Sequence, residues 1–142
     1  MYKIEKEFSY FGSYCIYDGI TYKYTGEHDF YASQDGRILR AHVNDKDELY
    51  VKDLGFGSKS FVNNHTKYYM VVGINLRNKC KTKTYCVHTL VMYAWNGRPT
   101  QPNLEIDHKN NISYDNRVCN LRYCTHKENC KWRAEFYKNK ER

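Results

Sequence analysis

Three short stretches, Glu105-Ile106-Asp107-His108, Asn120-Leu121-Arg122 and Glu128-Asn129, hold the residue types from which a hydrolytic site could be built. They supply a carboxylate, an imidazole and two carboxamides, at spacings that a short strand, a loop, a second strand and a helix can bring together. Cutting a phosphodiester has three requirements: a water must lose its proton, charge on the phosphoryl oxygens must be neutralised, and the leaving alkoxide must be stabilised. A divalent cation meets the last two and a neutral imidazole the first. Mg²⁺ takes oxygen ligands and keeps several of its waters, so one carboxylate and one carboxamide are a sensible protein contribution. Asp107 and Asn129 can supply those oxygens, His108 can act as base, and Asn120 can fix the imidazole's tautomer by a hydrogen bond. Mn²⁺ suits the same donors.

The charge lies where such a site would need it. The 142-residue chain has a formal net charge of +7, with 10 Lys and Arg against 10 Asp and Glu in residues 1–78 and 13 against 6 in residues 79–142. The excess therefore falls on the half holding the candidate site, which points to a nucleic-acid partner rather than to a merely solvated basic face. Arg117, Arg122, Lys127, Lys131 and Arg133 surround the site in sequence and are the candidate phosphate contacts.

No apolar run approaches the length of a membrane span. Residues 1–7 mix charges with no apolar segment behind them, so no secretory signal is read and a cytoplasmic location is expected. The six cysteines, at 15, 80, 86, 119, 124 and 130, form no Cys-x-x-Cys pair. Reduced, half-buried thiols are the simpler reading. A structural zinc on Cys80, Cys86, Cys119 and Cys124 would need untypical loops between its ligands.

The elements that must position these residues can be outlined from local pattern. Phe30 to Ser33 and Arg37 to Leu39 flank Asp35-Gly36, a tight-turn dipeptide, and predict a hairpin. Residues 44–67 are polar and read as a long loop. Tyr68 to Leu76 is rich in β-branched and aromatic residues and predicts a strand, turned by Arg77-Asn78-Lys79 and returned antiparallel by Thr84 to Val87. Val87, Leu90, Val91 and Ala94 follow helical spacing, so a short helix is expected from about His88 to Asn96, stopped by Gly97 and Pro99. Leu104 to His108 should be a short strand, residues 109–117 a compact Asn-rich loop, and Val118 to Cys124 a second strand. Thr125 and Glu128 have the form of a capping box opening a basic helix at His126.

At these residues the chain resembles the HNH endonucleases, in particular the phage and intron-encoded homing type with the ββα-metal fold. The resemblance rests on Val87-His88-Thr89-Leu90-Val91, Glu105 to His108, Asp115-Asn116-Arg117-Val118-Cys119-Asn120-Leu121-Arg122 and Thr125 to Asn129. It implies Asp107 and Asn129 as metal ligands, His108 as general base and Asn120 as the residue that orients it. Phe30 to Ile38 is similar to the small module that often precedes this motif. The implied architecture is α+β: residues 1–78 form an antiparallel β-rich module with an associated-motif hairpin at 28–40, and residues 79–142 form the HNH unit with its basic helix. The implied activity is Mg²⁺- or Mn²⁺-dependent cleavage of DNA by a monomer or homodimer, with no membrane and no small-molecule cofactor. A non-catalytic DNA-binding module and a ribonuclease are the competing readings. Asn116 is expected to organise its loop, with orientation of His108 as its alternative role. His126 could be a further metal ligand, and His88 reads as packing or capping.

Overall fold

The structure is a computed structural model and describes residues 6–62, 67–76 and 81–140. Six strands form an antiparallel meander in chain order: β1 (Phe8–Tyr10), β2 (Tyr14–Tyr17), β3 (Ile20–Tyr24), β4 (Phe30–Ser33), β5 (Ile38–Val43) and β6 (Leu49–Gly55). The expected hairpin is β4–β5, and its turn residue Gly36 sits at φ 94°, a left-handed conformation that a side chain resists. A second sheet has β8 (Tyr68–Leu76) between β7 (Ser58–Phe61) and β9 (Lys81–Cys86). The expected turn at Arg77-Asn78-Lys79 lies outside the described residues, as does Cys80.

The polar stretch 44–67 is not one long loop. Residues 44–48 form a turn, organised by Asn44 Oδ1, which accepts the N–H groups of Lys46 and Glu48 at 2.9 Å each. Strands β6 and β7 follow, each at the border of its sheet. Their polar side chains hide the strand signal because neither face is deeply covered. Backbone pairing with β5 and β8 makes them strands, a partner the local pattern cannot reveal.

Helix α1 (Val87–Asn96) starts where β9 ends and turns its apolar stripe of Val87, Leu90 and Val91 inward. These residues share one core with Phe30, Ala32 and Ile38 of the first sheet, Val72 of β8, and Leu121. Trp95 locks the helix to the sheet, its indole N–H donating to the Ala32 carbonyl at 2.9 Å. Each such fully buried apolar side chain contributes roughly 1.5–3 kcal/mol. The core thus joins the N-terminal sheet to the elements that carry the site.

Those elements are β10 (Glu105–His108), β11 (Leu121–Cys124) and α2 (His126–Lys140). The second strand is shorter than its sequence predicts: residues Val118–Asn120 form a turn of 3-10 helix, and pairing begins with His108 opposite Leu121. The capping box is formed as expected, with Glu128 N–H donating to Thr125 Oγ1 at 3.1 Å and Thr125 N–H to Glu128 Oε1 at 3.0 Å. The chain is α+β. No described helix is long and apolar enough to cross a membrane.

Candidate active site

His108 occupies the last rung of the β10–β11 ladder, where the chain turns away. Asn111 N–H returns to the His108 carbonyl at 2.8 Å, and Asn111 itself adopts φ 62°. The side chain of His108 is buried against the rings of His88, 5.1 Å away, and Tyr69, 6.2 Å away. Its Nε2 lies 2.8 Å from Asn116 Oδ1. A carboxamide oxygen only accepts, so Nε2 carries the hydrogen and Nδ1 keeps the lone pair. Burial pushes the imidazole below its usual 6.5, against the opposing pull of the Asn116 hydrogen bond and of the Asp107 and Asp115 charges. The ring is therefore neutral at pH 7, as a general base must be.

Asn120 does not touch that ring. Its Oδ1 accepts the Asn110 N–H at 3.0 Å, and its Nδ2 donates to Asn110 Oδ1 and to the Asp115 carbonyl at 2.9 Å each. The hydrogen bond to the imidazole expected of Asn120 is made by Asn116, and Asn120 clasps the 109–117 loop. The cause is the short second strand. Asn120 closes the 3-10 turn, one residue outside the ladder, and so faces the loop rather than the imidazole.

The N-terminal hairpin braces the same loop. Val118 N–H donates to the Gln34 carbonyl at 2.8 Å. A Cβ added at Gly36 would stand 3.1 Å from Asn116 Cβ and 3.2 Å from the Asn116 carbonyl oxygen. Gly36→Ala is thus expected to lose about 1–2 kcal/mol to its left-handed backbone and to push Asn116 off His108. Thermal melting and nicking assays of this variant should show both losses. An unchanged nicking rate would show that the hairpin does not set Asn116.

Asp107 and Glu105 are two residues apart on β10 and share one face, the face toward α2. Asp107 Oδ2 accepts from Arg122 Nε at 2.8 Å, across the rung that pairs the two residues. The Arg122 guanidinium lies 3.5 Å over the Trp132 ring. Glu105 Oε1 accepts from Asn129 Nδ2 at 2.8 Å, and Glu105 Oε2 lies 2.7 Å from His126 Nδ1. Those two hydrogen bonds, Asn129's first, hold the Glu105 carboxyl below the usual carboxylate range. Glu105 fixes the Asn129 amide so that Oδ1 is the atom left to offer lone pairs. Sequence reasoning assigned Glu105 no role, although its position two before Asp107 placed it on the same strand face. His126, three residues before Asn129 on the helix, is committed to Glu105.

Asp107 and His108 open together on a cleft of about 220 Å³, walled also by Lys109, Arg122, Trp132 and Arg133. Asn129 and its partner Glu105 are not among the residues that line this cleft. The donors suit a hard cation: both are oxygens, and Asp107 Oδ1 and Asn129 Oδ1 have no hydrogen bond among the described residues. No group of three or more His, Cys, Asp or Glu able to hold a metal occurs among the described residues.

The expected phosphate contacts divide into two sets. Arg117 is held by Asp115 through Nε and Nη2, both at 2.8 Å, and these bonds bring the Asp115 carboxyl down to about 2. Arg122 is held by Asp107. Both arginines serve the site's own scaffold, because each faces a carboxylate too close to ignore. Lys127, Lys131 and Arg133 are exposed along α2 and have no ion pair among the described residues.

His88 is the half-buried neighbour of His108, and its buried Nδ1 lacks a hydrogen-bond partner among the described residues. Burial first, and then the proximity of His108, lower it from 6.5 to about 4. A folded-state value below the unfolded one means that the unfolded chain binds the proton more readily. This contribution to stability is intact above pH 6.5 and is lost as pH falls to about 4, a loss of roughly 3 kcal/mol. The melting temperature should fall across that window, and His88→Phe should flatten the fall. Equal acid sensitivity in the variant would remove His88 as the cause.

Residues 85–131 match the model of the HNH endonuclease family, a span containing Asp107, His108, Asn120 and Asn129. Among solved structures, the chain is similar to one described as "DNA binding and cleavage by the HNH homing endonuclease I-HmuI", with a TM-score of 0.52, 20% identity and coverage of 80% of this chain. The match spans 57% of that other chain, and at such identity the likeness establishes the fold. No curated protein matches the sequence.

Proposed function

We propose that this member of the HNH endonuclease family is a divalent-metal-dependent endonuclease that hydrolyses phosphodiester bonds in DNA. One observation carries the reading: a buried, neutral imidazole of fixed tautomer opens on the same cleft as a carboxylate, beside an exposed basic helix. His108, with its hydrogen on Nε2, takes the proton of the attacking water at Nδ1. Asn116 keeps that lone pair aimed into the cleft, and Asn120 holds the loop that carries Asn116. Asp107 and Asn129 would hold the cation, which supplies charge neutralisation at the scissile phosphate and at the leaving 3′ oxygen. Arg122 fixes the Asp107 carboxylate, and Glu105 fixes the Asn129 amide. Lys127, Lys131 and Arg133 bind the phosphates to either side. Residues 79–142 are the catalytic unit, and residues 1–78 are the module that braces its loop through Gln34 and Gly36.

Incubation with supercoiled plasmid tests this. Nicked circles should form with Mg²⁺ or Mn²⁺ and disappear with EDTA, and excess duplex DNA should compete better than RNA. Salt-sensitive DNA binding without strand breaks under either ion would favour a non-catalytic binding module instead. Better competition by RNA would favour a ribonuclease.

A further inference from the structure

A second hollow adjoins the catalytic cleft, and the cutting reaction makes no use of it. It measures about 300 Å³ and is lined by Tyr68, Ile112, Tyr114 and Tyr137 with Lys67 and Asn111. Asn111 also lines the cleft that holds Asp107 and His108, so the two hollows share a wall. The aromatic rings here are open to water: Tyr114 is 52% exposed, and Tyr137 and Phe61 are each 51% exposed. Tyr68 and Tyr114 are stacked, with centroids 5.0 Å apart and planes 11° from parallel. Phe61 extends the cluster at 5.4 Å from Tyr68, and Lys59 Nζ sits 4.9 Å from the Tyr68 ring centroid.

Two features separate this cluster from an ordinary set of surface tyrosines. Tyr114 rides on the 109–117 loop that also carries Asn116, and Ser113 Oγ–H pins that loop to the Tyr68 carbonyl. The next residue on β8, Tyr69, lies 6.2 Å from the His108 ring. The cluster is thus built into the frame of the catalytic imidazole. A flat π-face ringed by lysines matches the chemistry of a nucleotide, whose base stacks on aromatic rings while its phosphate pairs with cations. A base inside a duplex has both faces covered by its neighbours, so only an unpaired base can occupy the platform.

We propose that Tyr68, Tyr114 and Tyr137, with Lys59 and Lys67, form a stacking site for an unpaired DNA base beside the scissile phosphate. The site directs the chain to DNA carrying a gap, mismatch or single-stranded flap near the cut. The proposal rests on the nuclease reading for the nature of its ligand, and binding measurements separate the two.

The 142-residue His108→Ala protein, in EDTA, is titrated against a fluorescent duplex and against the same duplex with a short unpaired tract containing 2-aminopurine. Tighter binding of the interrupted duplex by about tenfold is expected, within the range for base–aromatic stacking, with quenching of the 2-aminopurine on binding. Tyr114→Leu should abolish most of the preference and the quenching, whereas Tyr114→Phe should retain both. Tyr137→Leu serves the same comparison should Tyr114→Leu melt early. Equal affinity for the two DNAs, or a preference that Tyr114→Leu and Tyr137→Leu leave intact, overturns the platform. Parent protein that nicks plasmid but shows no such preference leaves the nuclease reading standing and removes only this proposal. Failure to bind either DNA removes both.

Discussion

His108→Ala lowers the rate of plasmid nicking by roughly 10²–10⁴-fold, the range for removal of a positioned general base. DNA binding should be retained, because the proposed phosphate contacts Lys127, Lys131 and Arg133 lie along α2. The variant stays folded, although Asn116 Oδ1 loses its partner at a cost of about 1–3 kcal/mol. Single-turnover nicking under excess enzyme isolates the chemical step. The parent protein's rate should rise with pH and level off below the usual imidazole 6.5, since burial lowers the His108 value. A loss of less than about tenfold, or a parent profile with no acid limb, would take His108 out of the role of base.

Asn116 and Asn120 should fail in different ways. Asn120→Ala removes three side-chain hydrogen bonds from a site only 6% exposed. The expected loss is about 3 kcal/mol, or roughly 10 °C in melting temperature, with activity falling because the loop loosens. Asn116→Ala removes one bond, to the imidazole itself. Its melting temperature should fall by much less, while nicking falls about 10–100-fold, as is usual when the partner that orients an active-site group is lost. Asn116→Asp provides a signed control. A carboxylate at that position favours the protonated imidazole, so the acid limb of the rate profile should move to higher pH. Should Asn120→Ala shift the limb and Asn116→Asp leave it alone, the roles read from the geometry would be reversed.

Local signals placed most of the scaffold. Asp35-Gly36 marked the β4–β5 turn, the spacing of Val87, Leu90 and Val91 marked α1, and Thr125 with Glu128 marked the start of α2. Each is legible because a turn, a helical stripe or a cap is satisfied by residues within a few positions of one another. Strands β6 and β7 were missed because their partners, not their own side chains, make them strands.

The same division runs through the site. Residue types and order along the chain were enough to identify a carboxylate, an imidazole and carboxamides suited to phosphodiester hydrolysis, and a basic half in which to place them. Which asparagine meets His108 depended on where the β10–β11 ladder stops, and a one-residue difference in that boundary redirects a side chain. The hold of Glu105 on Asn129, and of Asp107 on Arg122, likewise arose only when α2 and β11 closed on β10. Such contacts join residues 15 and 24 positions apart, and no local pattern encodes them. Chemistry was carried by composition and spacing; the assignment of partners was decided by register, because strand pairing sets which face each side chain presents.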